Sequence, residues 1–192
     1  MKLARMVFGV AVAACLLAAS SRASAAEVDW SNIREEPAPR EGVEIAPLLG
    51  WATSSLGPGA GIRAGYTFRE GVHAGVGFMA HYGLDALPGD ATMRVGILYP
   101  STEIGYDFRY ESVSFRPYLG GGVGWFHAVT NEGLTTSSAY FLTYPGVAIT
   151  YRPAHTPLFG GVDTRLLLPY VEGAKLSDTL SFGAYAVAGV HF

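Results

Sequence analysis

One cysteine, Cys15, stands in the whole sequence of 192 residues, inside a leading apolar stretch. With that stretch removed the chain holds none, which excludes a disulfide scaffold and a thiol nucleophile. Lysine is nearly as scarce, with Lys2 and Lys175 the two present. Without Lys2, Arg5 and Arg22 there remain 13 − 3 = 10 basic residues against 16 acidic, a net charge of −6. Nucleic acid needs clustered positive charge and is excluded as a partner. Beyond the leader no apolar run approaches the roughly 18–20 residues of a spanning helix. The glycines form neither G-x-G-x-x-G nor a Walker pattern, and no G-x-S-x-G elbow occurs. The five histidines, His73, His81, His127, His155 and His191, share no short ligand spacing. No metal and no cofactor is therefore expected.

What is present begins with a secretory leader. Lys2 and Arg5 precede an apolar run from Met6 to Ala19, and Ala23-Ser24-Ala25 or Ser24-Ala25-Ala26 supplies small residues for cleavage. Residues 1–26 read as a signal peptide, leaving 192 − 26 = 166 residues. Val12-Ala13-Ala14-Cys15 resembles a lipoprotein box, so lipidation of Cys15 is the alternative. The apolar run continues through Leu16 to Ala19, which suits ordinary removal better. Residues 27–41, with Pro37 and Pro39, read as an extended periplasmic tail. The fold occupies 42–192.

Hydrophobic residues make up 49% of the sequence, yet 25 glycines and 11 prolines are scattered through them. Helices are disfavoured by that mixture. A period of two recurs instead, the signature of strands with unlike faces. Phe182, Ala184, Ala186, Ala188, Val190 and Phe192 alternate with Gly183, Tyr185, Val187, Gly189 and His191. Val72, Ala74, Val76, Phe78, Ala80 and Tyr82 alternate with His73, Gly75, Gly77, Met79 and His81. The same reading gives strands over 43–51, 60–68, 102–110, 113–125, 140–151 and 158–168, eight in all. Loops are expected at Thr53–Pro58, Gly83–Thr92, Val129–Ser138 and Pro169–Thr179, with short turns between. Met93–Pro100 reads out of phase, as an extension of its strand or a bulge at Pro100. The two faces of 140–151 cannot be told apart.

Charge decides what the faces mean. Glu44, Arg63, Glu103, Asp107, Arg109, Arg116, Asp163 and Arg165 all sit opposite the apolar rows. No spare apolar element is left to cover those rows, so lipid covers them and the charges line the lumen. The arginines need partners there, and Glu44, Glu103 and Asp163 are available to form an ionic plug. Aromatic residues gather at strand ends. Tyr66, Phe68, Phe108, Tyr110, Phe115, Tyr151 and Phe192 lie toward the turns, and Trp51, Tyr82, Trp125, Tyr170 and Phe182 toward the loops. Two such belts suit the two interfaces of a bilayer. The fold expected is an all-β transmembrane antiparallel up-and-down barrel of eight strands with a plugged lumen.

That pattern, the stretch Arg116-Pro117-Tyr118-Leu119-Gly120-Gly121-Gly122-Val123-Gly124 and the closing Phe192 resemble the small outer-membrane barrel family, which includes the OmpA transmembrane domain, OmpX and the opacity-type proteins. The resemblance implies the outer membrane of a Gram-negative bacterium, surrounded by lipid and lipopolysaccharide. It also implies that the last strand, with Val190 and Phe192, is read by the barrel-assembly machinery. A monomer with a structural or surface-interaction role is expected, and no enzyme. Two alternatives are a carrier of small apolar molecules resembling OmpW and a lipid A-modifying barrel. Val95, Ile97, Leu142 and Leu167 leave the carrier open, but the enzyme lacks the His-x-Ser pair of the lipid A deacylases.

Overall fold

The computed structural model describes residues 41–53, 56–86, 92–153, 156–171 and 180–192. The expected leader with Cys15, the expected tail up to residue 40, His155 and the stretches 87–91 and 172–179 lie outside the described residues.

Nine strand segments are found among the described residues: β1 (Gly42–Ala52), β2 (Gly57–Thr67), β3 (Val72–Ala86), β4 (Thr92–Tyr106), β5 (Phe108–Tyr110), β6 (Val113–Thr130), β7 (Thr135–Tyr151), β8 (Leu158–Tyr170) and β9 (Ser181–His191). Segments β4 and β5 are one barrel strand divided at Asp107, since both face β6 in one register, Gly105 opposite Tyr118 and Phe108 opposite Phe115. Each strand pairs antiparallel with the next, and β9 returns to β1. The sheet therefore closes as an eight-stranded up-and-down barrel without an edge through the membrane.

Alternation sorts the residues between two surfaces. Along β1, Val43, Ile45, Leu49 and Trp51 are exposed while Glu44, Ala46 and Leu48 are buried. The outward row is apolar all round, with Ile62, Val76, Ile104, Leu119 and Val162 more than half exposed. The belt aromatics Trp51, Phe68, Tyr82, Phe108, Tyr110, Trp125, Tyr151 and Tyr170 face outward. Tyr66 is half-buried and donates to Glu41 at 2.5 Å. Phe141 meets Tyr170 at 6.0 Å and Tyr106 meets Phe108 at 4.7 Å, so both extend the belts.

The strands run farther than the sequence suggests. β3 continues to Ala86 against Thr92, so Gly83–Ala86 and Thr92 belong to a hairpin rather than to a loop. Val129–Ser138 is likewise the end of a hairpin, with 131–134 alone between β6 and β7. β2 begins at Gly57 and β8 reaches Tyr170, shortening the expected loops Thr53–Pro58 and Pro169–Thr179. Glycine and hydroxyl residues close a ladder as well as apolar ones do, so polarity above the membrane does not mark a loop. No bulge occurs at Pro100: β4 keeps one register on β3 from Thr92 to Tyr106, and Val95, Ile97, Tyr99, Ser101 and Glu103 all point inward. The phase is masked in the sequence because the inward residues become apolar there.

Strands of 15 to 18 residues (β3, β4, β6, β7) outlast the 11 of β1, β2 and β9 at the loop end. They carry a four-stranded sheet past the rim. Its β7 edge is uncovered by any described strand, because β8 ends with Tyr170 opposite Phe141. The Thr130 N–H donates to the Leu134 carbonyl at 2.9 Å and the Arg152 N–H to Ser112 at 2.7 Å, so even-numbered residues of β7 bond β6. Odd-numbered ones turn the other way, so Thr135, Ser137 and Ala139 direct N–H and C=O at the edge that no described strand covers.

Candidate functional site

The interior begins from the inward residues, since no second layer of protein is there to fill it. Nearer the short turns it is ionic. Glu44 on β1 accepts both Nη atoms of Arg116 on β6, at 2.5 and 2.9 Å, and Nη2 of Arg152 at 2.7 Å. Arg63 on β2 donates to Asp163 on β8 at 2.7 Å, across the lumen, with its Nε 3.7 Å from Glu44 and 3.6 Å from Glu103. Asp107 takes Ser114, Arg109 at 3.4 Å and Arg116 at 3.6 Å. Asp163 also accepts Arg165 Nε and the Tyr118 hydroxyl, each at 2.7 Å. His73 stands 3.5 Å from Glu103 and 3.1 Å from the Thr67 hydroxyl.

All eight charged residues singled out from the sequence thus lie in one buried network. Five arginines (Arg63, Arg109, Arg116, Arg152, Arg165) face four carboxylates (Glu44, Glu103, Asp107, Asp163). Bidentate and shared contacts of this kind satisfy several donors at once. Arg152 escapes the sequence reading because it follows β7, the strand whose faces look alike. Its even number, in step with Ala148 and Thr150, is the available signal.

Above the ions the filling turns aromatic and apolar. The Arg165 guanidinium lies 5.1 Å from the Tyr144 ring, 5.4 Å from Tyr185 and 5.9 Å from Tyr118, a cation held among π faces. Tyr144 donates to Ser101 at 2.7 Å, and Tyr185 meets His81 Nε2 at 3.1 Å. Leu48, Met79, Val95, Leu142, Leu167 and Val187 pack around them, all 3% exposed or less. Inward glycines make the room: Gly120 lies opposite Tyr144, Gly146 opposite Tyr118 and Gly124 opposite Tyr140, and a Cβ on any of the three would strike the ring. A ring folded over the glycine across the strand fills a narrow barrel without widening it.

One further pair lies outside the lumen. His127 on β6 and Ser137 on β7 face each other across the exposed hairpin, with Nδ1 2.8 Å from the hydroxyl. Ten positions separate them, so no short motif marks the pair. Val190 and Phe192 sit where β9 meets β1, with Phe192 exchanging both backbone bonds with Val43, at 2.9 and 3.0 Å.

No protein-family model and no curated protein sequence matches the chain. Solved structures do. The chain is similar to a major outer membrane protein of Thermus thermophilus, at 15% identity over 78% of this chain and 99% of that one, with a TM-score of 0.59. It is similar to the N-terminal β-barrel domain of Pseudomonas aeruginosa OprF (15%, 80% and 100%, 0.52). A third is Ail, the attachment invasion locus protein of Yersinia pestis, solved with the heparin analogue sucrose octasulfate (15%, 79% and 97%, 0.51). The fold is that of the small eight-stranded outer-membrane barrels. With an apolar girdle outside and ions within, the outer membrane is its location.

Proposed function

We propose that this outer-membrane barrel is a closed scaffold, not a general porin, and that its role lies in the sheet it raises above the membrane. The β7 edge, which no described strand covers, carries the reading. Natural edges are blunted by lysine, proline or a bulge, whereas Thr135-Thr136-Ser137-Ser138-Ala139 has none of these. An extended polypeptide strand can add to such an edge through Thr135, Ser137 and Ala139. Among the described residues the outer end offers Arg94 and His127 against Glu132, little for a sulfated glycan of the kind Ail was solved with. A carrier of small apolar molecules finds little support, because the apolar half of the lumen is filled by its own side chains. In this reading the barrel is a monomer among lipid and lipopolysaccharide, and β9 with Val190 and Phe192 is what the assembly machinery reads.

The test uses the folded barrel in nanodiscs and an alternating Thr-Val octapeptide. Amide hydrogen exchange is expected to slow at Thr135, Ser137 and Ala139, and an N-methylated copy of the peptide should have no effect. Unchanged exchange at all three amides with the unmethylated peptide defeats the surface reading. In planar bilayers the protein is expected to give no steady large conductance; a steady large conductance would refute the plug.

His127 and Ser137 favour a second reading, acyl transfer from outer-leaflet lipid. A histidine within hydrogen-bond reach of a serine is the core of an activated nucleophile, but here no described residue orients the imidazole. Release of fatty acid from purified lipopolysaccharide, lost in Ser137→Ala, would establish it; no release from wild type removes it.

A further inference from the structure

Among the described residues the plug does not balance its charges, since five guanidiniums face four carboxylates. Two of the cations, Arg116 and Arg152, converge on the single carboxylate of Glu44. An enclosed surplus of one positive charge is unfavourable until an anion joins it.

Arg152 is the cation at which that surplus is least covered. Its Nη2 donates to Glu44 at 2.7 Å and its Nε to the Thr150 hydroxyl at 3.4 Å, while Nη1 meets no acceptor among the described residues. The side chain is 9% exposed, and its guanidinium lies 5.0 Å over the Phe159 ring. Beside it, at the turn end of the barrel, is a cavity of about 40 Å³ bounded by Arg152, Thr156, Pro157, Leu158, Phe159 and His191. The His191 N–H donates to the Pro157 carbonyl at 2.8 Å, and the Thr156 hydroxyl accepts the Leu158 N–H at 2.8 Å, so hydrogen bonds fix these walls. Unlike the rest of the ionic half, this space has no carboxylate in its described lining. One water needs about 10–15 Å³, so there is room for a halide or for a carboxylate group.

We propose that this cavity is a binding site for one small monovalent anion, a halide or a carboxylate the size of formate, which pairs with the Arg152 guanidinium and completes the charge balance of the plug. A surplus of one positive charge selects one negative charge, whereas a dianion would reverse the imbalance. The walls of Pro157, Leu158 and Phe159 offer no hydrogen-bonding side chain in place of water, and stripping water from a dianion costs more than from a monoanion. What holds the ion is a charge-assisted hydrogen bond from the guanidinium.

Chloride-35 magnetic resonance tests the proposal. The folded protein in a nonionic maltoside detergent is titrated with sodium chloride, and the excess linewidth is read against detergent alone. Saturable broadening is expected, with half-saturation on the order of 10 mM, as one charge-assisted hydrogen bond supplies. Arg152→Gln should reduce it at least tenfold, and Arg69→Gln, on an exposed turn, should leave it unchanged. Thr156→Asp keeps an acceptor for the Leu158 N–H and brings a carboxylate of its own to the cavity wall, so it should abolish the broadening with Arg152 still in place. Heat-modifiability shows each variant folded. Sodium formate then competes: release of chloride at a lower concentration than that of the chloride assigns the site to carboxylates, and release only at a higher one assigns it to halides. No saturable broadening by the wild type overturns the proposal, as does broadening that survives either Arg152→Gln or Thr156→Asp.

Discussion

Replacing Glu44 by alanine tests most directly whether the lumen is an organised ionic plug. Its carboxylate, about 1% exposed, lies within 2.9 Å of Arg116, at 2.7 Å from Arg152 and at 3.7 Å from Arg63. The substitution changes the balance from five cations against four anions to five against three, in a space that bulk water does not reach. Removing one partner of a buried pair leaves an uncompensated charge, at a cost of about 3–5 kcal/mol. The folding equilibrium should shift by a factor between roughly a hundred and a few thousand. Reversible unfolding by guanidinium in lipid vesicles, followed by tryptophan fluorescence and by gel mobility without boiling, measures it. The double variant Glu44→Ala with Arg116→Met should recover a large part of the loss, because the stranded charge goes with its partner. A loss below about 1 kcal/mol for Glu44→Ala, the range of solvent-exposed pairs, would mean that the lumen is hydrated and that the plug is not one. Equal losses in the single and double variants would mean that Glu44 acts through packing alone.

Other substitutions probe the wall and its filling. Ile62→Arg, near the middle of β2 on the outward face, should cost about 2–4 kcal/mol in bilayers, whereas Ser137→Arg on the hairpin should stay within about 0.5 kcal/mol; equal effects in the same assay would contradict a lipid-facing wall. Gly120→Ala forces the Tyr144 ring away from Ser101 and should destabilise by about 1–3 kcal/mol, a loss that a second change of Tyr144→Phe leaves largely in place because the ring still collides. Deleting Phe192 should leave folding into detergent intact but lower the heat-modifiable protein recovered from outer membranes; normal recovery in cells would argue against Phe192 as the residue the assembly machinery reads.

Much of the barrel is legible along the chain because a strand has a period of two. Arg63, Arg116 and Arg165 can be given to one side and Ile62, Leu119 and Val162 to the other without coordinates, since each position fixes the face of its neighbours. The reading weakens where chemistry stops alternating. Val95, Ile97 and Tyr99 are apolar and inward, so they hide the phase of β4. Tyrosine and threonine occupy both faces of β7, which conceals Arg152. Ser137 and Ser138 look like a loop because they lie above the membrane, where the ladder holds hydroxyl residues as readily as apolar ones.

Composition and alternation by themselves determined a chain of strands with oil on one face and ions on the other, because these follow from each residue and its neighbours two away. Which ions meet was decided by closure of the sheet. Glu44 reaches Arg116 across 72 positions and Arg63 reaches Asp163 across 100, distances along the chain at which no local pattern acts. Register likewise decided which ladder each of Pro47, Pro100, Pro117 and Pro145 interrupts, since a missing N–H has consequences only for the strand it would have faced.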